Sequence, residues 1–269
     1  MKTTKMFLLL SLLFVAPAFM AAQDLETGDY YALIIGIDDY SGDWTPMSTS
    51  VRDAEAVKNT LETHYKFDHF RTLYNEEASR IDIFRAFEWL MVNVTENDNV
   101  LIYYSGHGDY NAQLDEGFWV PADAQSDTAY EVIANGDIQS LLKGIKSRHT
   151  LLISDAAFAG DIFRGTPIMK EFEDSPEYYK QVHELKSRKA ITSGGIDPVM
   201  GGGSDGHSVF AYWLLRALNT NQKQWFDATE LYNGIAVPVT NNSEQSPEFH
   251  PIKNLGDAGG QFVFIRKDE

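Results

Sequence analysis

The apolar positions of this chain fall into two alternating patterns. Residues 30–37 form a continuous apolar run bounded by polar residues, the pattern of a strand buried on both faces. Residues 51–65 place Ala54, Val57, Leu61 and Tyr65 at helical spacing. Residues 70–74 read as a second strand. Residues 80–93 read as a helix with Ile83, Phe84, Phe87, Leu90 and Met91 on one face. Residues 100–104 predict a third strand, 118–121 a short extended piece, 138–145 a helix and 150–154 a fourth strand. Residues 161–188 are charged and contain Pro167 and Pro176, which predicts a mostly mobile loop with a helical patch. A fifth strand follows at 190–193, a helix at 209–218 and a final strand at 261–265. Strands alternating with helices imply an α/β fold with a mostly parallel sheet covered on both faces. Ligand sites in such sheets lie beyond the carboxyl ends of the strands, so the segments after Ile37, Tyr104, Ser154 and Ser193 are where chemistry is expected.

Composition narrows the choice. The 269 residues fit one α/β domain, and a hydrophobic fraction of 43% with 13% aromatics supports a large core. The net charge of -17 repels phosphate backbones and argues against nucleic-acid binding. There is no cysteine, which excludes disulfides, thiolate metal sites and thiol catalysis. Lys2 and Lys5 precede a short apolar run and then small residues up to Ala22. This predicts a signal peptide over 1–22, a secreted or periplasmic mature protein over 23–269, and no membrane association after its removal.

Two turns carry the candidate chemistry. After the third strand comes Ser105-Gly106-His107-Gly108-Asp109. A histidine between glycines is expected on a tight, exposed turn, where it is a general-base candidate and where the Gly108 amide could approach an oxyanion. After the fourth strand comes Asp155-Ala156-Ala157-Phe158-Ala159-Gly160.

These two turns, 50 residues apart at His107 and Ala157, resemble those of the caspase-like cysteine peptidases, and within them the bacterial caspase-family proteins and metacaspases. That spacing is the family's own. The segments 32–37, Asp53, 120–123, Thr192-Ser193-Gly194-Gly195 and 206–210 extend the likeness from about residue 30 to 265. The resemblance implies a caspase-like three-layer α/β/α sandwich with a mostly parallel six-stranded sheet and helices on both faces. It implies a cysteine-type endopeptidase with His107 as base, the Gly108 amide as oxyanion donor and a thiolate at position 157. That position holds alanine. A methyl group cannot attack a carbonyl, and loss of a nucleophile costs on the order of 10⁶ in rate. Ser105 and Ser154 are poorly placed as substitutes, and no Gly-x-Ser-x-Gly elbow is present. The alanine is consistent with a substitution made to block cleavage or with a natural pseudo-peptidase that binds basic peptides or regulates an active relative.

The resemblance further maps Asp53 and Asp155 onto a pocket for the residue before the cut, with Ser193 and Gly194 in the substrate-binding region. Two carboxylates there imply a peptide or protein partner with arginine or lysine at that position. Self-processing would then fall among Arg164, Lys170, Lys180, Lys186, Arg188 and Lys189, in the loop 161–189. No cofactor is expected; calcium, required by some metacaspases, would look to Asp123, Asp127 and Asp137. A monomer is expected in preference to a dimer. A phosphoacceptor or nucleotide-binding reading, prompted by Asp38-Asp39, lacks any glycine-rich phosphate motif.

Overall fold

The computed structural model describes residues 25, 27–157, 162–163, 175–194 and 204–267. The expected signal segment 1–22, Arg164, Lys170 and the Phe158-Ala159-Gly160 end of the second turn lie outside them.

A six-stranded sheet organises the chain in the order β10-β8-β7-β3-β1-β2. Its strands are β1 (Tyr30–Gly36), β2 (His69–Tyr74), β3 (Asn99–Ser105), β7 (His149–Asp155), β8 (Ser187–Thr192) and β10 (Glu248–Pro251). The first five run parallel and β10 is antiparallel to β8. All seven residues of each of β1, β3 and β7 are buried, as the unbroken apolar runs require of strands covered on both sides.

Alternate side chains feed two cores. Tyr31, Leu33 and Ile35 of β1 join Ile83, Phe87 and Leu90 of α2 (Arg80–Asn93) and Ile138 and Leu142 of α3 (Asn135–Gly144). Tyr30, Ala32 and Ile34 join Ala54, Val57 and Leu61 of α1 (Ser50–His64), Phe210 and Leu214 of α5 (Val209–Thr220), and Leu231 and Ile235 of α6 (Ala228–Asn242). Each fully buried Leu, Ile or Phe contributes about 1.5–3 kcal/mol, so the sheet is held from both faces. This is the expected three-layer α/β/α sandwich.

Several expectations change. The last strand, β11 (Val263–Ile265), lies outside the main sheet; it pairs antiparallel with β9 (Trp225–Asp227). The sixth strand of the sheet is β10, whose sequence Glu248-Phe249-His250-Pro251 has too few apolar residues to stand out. The loop expected over 161–189 ends early: α4 (Pro176–Glu184) starts on a Ser175 cap with Pro at its first turn, and β8 begins at Ser187. Arg188 and Lys189 are therefore buried strand residues, not exposed processing sites. The Arg188 guanidinium donates to the carbonyls of Ile145, Ser147 and Arg148, which satisfies a buried charge with main-chain acceptors. A small antiparallel sheet, β4 (Gly108–Asn111), β5 (Glu116–Trp119) and β6 (Ile133–Ala134), rises directly from the histidine turn.

Candidate active site

β3 and β7 are neighbours, and Ser105 sits opposite Asp155. The two turns therefore leave the same rim of the sheet side by side. The Gly106 N–H donates to the Asp155 carbonyl at 3.4 Å. A Cβ on Gly108 would stand 2.3 Å from the Ala157 carbonyl oxygen. His107-Gly108 and Ala157 are thus in backbone contact.

The glycines serve space and not unusual angles. Neither Gly106 nor Gly108 has a positive φ. A Cβ on Gly106 would meet the hydroxyl oxygens of Tyr40 and Tyr104 at 2.8 and 2.9 Å. Nor is the turn exposed: His107 is 7% accessible. Its ring lies 4.8 Å from the Tyr40 ring and 5.8 Å from the Trp44 ring, centroid to centroid. Its main chain is fixed by N–H donation to the Tyr40 hydroxyl at 2.7 Å, and by donation from the Tyr104 hydroxyl to its carbonyl at 2.7 Å. Tyr104 in turn stacks on Trp119 at 4.1 Å.

The imidazole has a defined tautomer. Nε2 lies 2.6 Å from the Thr45 carbonyl oxygen, which can only accept, so Nε2 carries the proton and the neutral ring keeps its lone pair on Nδ1. A general base needs that arrangement. Thr45 escaped sequence reading because its contribution is a main-chain carbonyl, which any residue type supplies. Trp44 packs against the small cluster of Phe118, Val120, Ala124 and Val132 and also flanks this ring.

Asp53 and Asp155, far apart in the chain, meet through one residue. The Ser208 N–H donates to Asp53 Oδ2 at 3.1 Å, and its hydroxyl donates to Asp155 Oδ2 at 2.7 Å. Ser208 also caps α5, accepting from the Ala211 N–H at 2.9 Å. Asp53 Oδ1 is bonded to His207 Nδ1 at 2.5 Å. Both carboxylates are fully buried. Burial pushes the Asp53 carboxyl upward, while the bonds from His207 and Ser208 oppose the shift. Burial pushes Asp155 up to about 7; the Ser208 bond opposes this and the Asp53 charge adds to it. Ser193 and Gln245 also act on Asp155, yet neither closes a hydrogen bond to Oδ1, which is without a partner, as are the hydroxyls of Ser193 and Tyr103. Ser193 is fully buried beside this pair. Gly194 faces elsewhere: its φ is +66°, and a Cβ there would stand 2.0 Å from the Ser246 carbonyl oxygen, so it shapes the link toward β10. The motif 206–210 was visible in sequence, but not that its serine would tie the two aspartates together.

Calcium ligands do not assemble. Asp123 accepts from the Arg80 N–H at 2.7 Å at the start of α2, and Asp137 pairs with the Arg80 guanidinium at 3.7 Å. No cluster of three or more metal-ligating side chains occurs among the described residues. Asp38, the residue that prompted a phosphoacceptor reading, accepts from the Ser50 and Val51 N–H groups and starts α1.

The chain matches the caspase-domain model of the C14 peptidases over residues 29–255. It belongs to that family of caspase-like peptidases. Metacaspase-1 of Debaryomyces hansenii is 30% identical over 95 residues, 32% of this chain and 21% of the relative. Metacaspase-1 of Saccharomyces cerevisiae is 32% identical over 97 residues, 33% of this chain and 22% of the relative. The matches therefore span about a fifth of those relatives' length. A solved protein of Geobacter sulfurreducens superposes with a TM-score of 0.59 at 18% identity, over 87% of this chain and 100% of that one, a likeness of fold.

Proposed function

We propose that this chain binds peptides or protein segments at an arginine or lysine side chain and does not cleave them. The observation that carries this reading is the buried Asp53–Asp155 pair, joined by Ser208 and holding an unpartnered carboxylate oxygen two residues before Ala157. A buried acceptor without a donor is unfavourable, and a basic side chain supplies the missing donor together with the opposite charge. The scissile carbonyl of such a ligand would then lie beside Ala157, whose methyl group offers no nucleophile.

His107, Gly108 and Ala157 keep the remaining parts of an acyl-transfer site: a base with its lone pair on Nδ1, an amide beside the reacting centre, and the nucleophile position. With cysteine at 157 the same site is an endopeptidase cutting after arginine or lysine. Titration calorimetry with a blocked arginine peptide tests the binding reading: the parent chain binds, Asp155→Asn does not, and equal binding by both would overturn it. The cationic start and apolar run of residues 1–22 support an exported protein, which signal cleavage after Ala22 would verify. We take the exported chain to be a monomer, a state that light scattering measures directly.

A further inference from the structure

A third ionisable side chain contacts the carboxylate pair, within the segment 206–210 that carries part of the family likeness, and its own role is unassigned. His207 Nδ1 lies 2.5 Å from Asp53 Oδ1. Its side chain is 17% accessible and that of Asp53 is 0%, so the imidazole stands between solvent and that carboxylate. The turn that presents it is specialised. Asp205 and Gly206 are consecutive left-handed residues with φ of 62° and 79°, and the Arg52 guanidinium donates to the Gly206 carbonyl at 3.1 Å. The left-handed φ of Gly206 favours glycine there, and a Cβ would only displace the mobile end of Arg52.

The two aspartates are consequently unequal. Asp53 has both oxygens engaged, Oδ1 by His207 and Oδ2 by the Ser208 N–H. Asp155 has Oδ2 engaged by the Ser208 hydroxyl and Oδ1 without a partner. A guanidinium gains over an ammonium when it can fork across two acceptors; an ammonium acts as a point charge and is content with one. With the imidazole in place, the carboxylate pair keeps one oxygen without a hydrogen-bond partner, and that oxygen is buried.

We propose that His207 is a specificity-determining residue of this site: it occupies Asp53 as a resident partner and leaves Asp155 to receive the incoming side chain, so that lysine and arginine are accepted nearly alike. This rests on the reading of the pocket as a site for basic side chains. Removing the imidazole opens Asp53 Oδ1 and gives a guanidinium its second acceptor. A permanent cation at 207 does the reverse and fills the pocket from within.

The test is calorimetric titration of two blocked peptides, identical except for arginine or lysine, into the parent chain and into His207→Ala, His207→Gln, His207→Arg and Asp155→Asn. Expected are roughly tenfold tighter arginine binding by His207→Ala, the scale of one charge-assisted hydrogen bond, a smaller change for lysine, and binding by His207→Arg weakened at least tenfold. His207→Gln keeps a neutral donor toward Asp53 and serves if the alanine variant does not fold; it should fall between parent and alanine. Arginine binding by a folded His207→Ala or His207→Gln chain that is no tighter than the parent's overturns the role of His207 while leaving the pocket reading intact. Binding by Asp155→Asn equal to the parent's, or no binding by any chain, overturns the pocket reading and this inference with it.

Discussion

The Thr45 carbonyl oxygen sits 2.6 Å from Nε2 of His107, and this one contact decides which nitrogen of the ring is basic. Without it either tautomer is open to a neutral imidazole; with it the lone pair is held on Nδ1. The ring is clamped by Tyr40 and Trp44 and its backbone by Tyr40 and Tyr104, so the imidazole is held in place by its surroundings.

Ala157→Cys is expected to hydrolyse fluorogenic peptides after arginine or lysine, with no detectable turnover by the parent. Adding His107→Ala to Ala157→Cys should lower kcat/KM by about 10²–10⁴, the usual contribution of a positioned acid–base group. Thermal melts of the same proteins establish that they are folded.

Asp155 titrates near 7 in the folded chain and near 3.8 as a free carboxyl. The folded state therefore holds the extra proton between those limits, and this contribution to stability is present at low pH and lost as pH rises toward 7. Asp155→Asn removes the slope: its advantage in urea midpoint over the parent should grow from pH 4 to pH 7 and then level off. A basic ligand binds the ionised form, so parent affinity for arginine peptides should rise by up to roughly tenfold per pH unit below 7 and flatten above it.

His149, at the start of β7, and His183 of α4 lie with ring centroids 4.3 Å apart. Burial lowers them to about 3 and about 4; their mutual proximity adds to the shift of His149, and Arg148 to that of His183. Here the unfolded chain binds protons first, so stability is full above the ordinary histidine range near 6.5 and is lost as pH falls from there toward 3–4. His183→Phe should flatten the loss in urea midpoint between pH 6.5 and pH 4 and leave arginine-peptide binding unchanged at pH 7.5.

Gly108→Ala drives a methyl group into the Ala157 carbonyl, 2.3 Å away in the present geometry. Backbone cannot yield as a flexible side chain does, so a loss of about 1–3 kcal/mol is expected, the range of overpacked sites. Gly194→Ala adds a left-handed φ to a 2.0 Å contact with the Ser246 carbonyl and should be the more damaging of the two. Chemical denaturation at constant pH reads both.

Most of the sheet was legible because β1, β3 and β7 are buried on both faces and so carry unbroken apolar runs. β10 was not, since an edge strand of Glu248, Phe249, His250 and Pro251 needs no such run. Arg188 and Lys189 read as exposed charges because sequence pattern does not show that main-chain carbonyls await a guanidinium inside the fold. His107, Asp155 and Ala157 were legible as candidates because side-chain identity and spacing carry the resemblance. Thr45 and the bridging role of Ser208 were not, because a carbonyl is common to every residue and a cap between two distant elements has no local signature.

Residue order alone thus set the layered α/β class, the rim where the candidate residues gather and the alanine at position 157, since burial periodicity and functional-group identity are local properties written position by position. The tautomer of His107, the inequality of Asp53 and Asp155 and the contact of His207 with Asp53 were decided only by the folded chain. Each depends on partners 62, 53 or 154 residues away, brought within hydrogen-bond reach by strand pairing and helix packing that no single segment encodes.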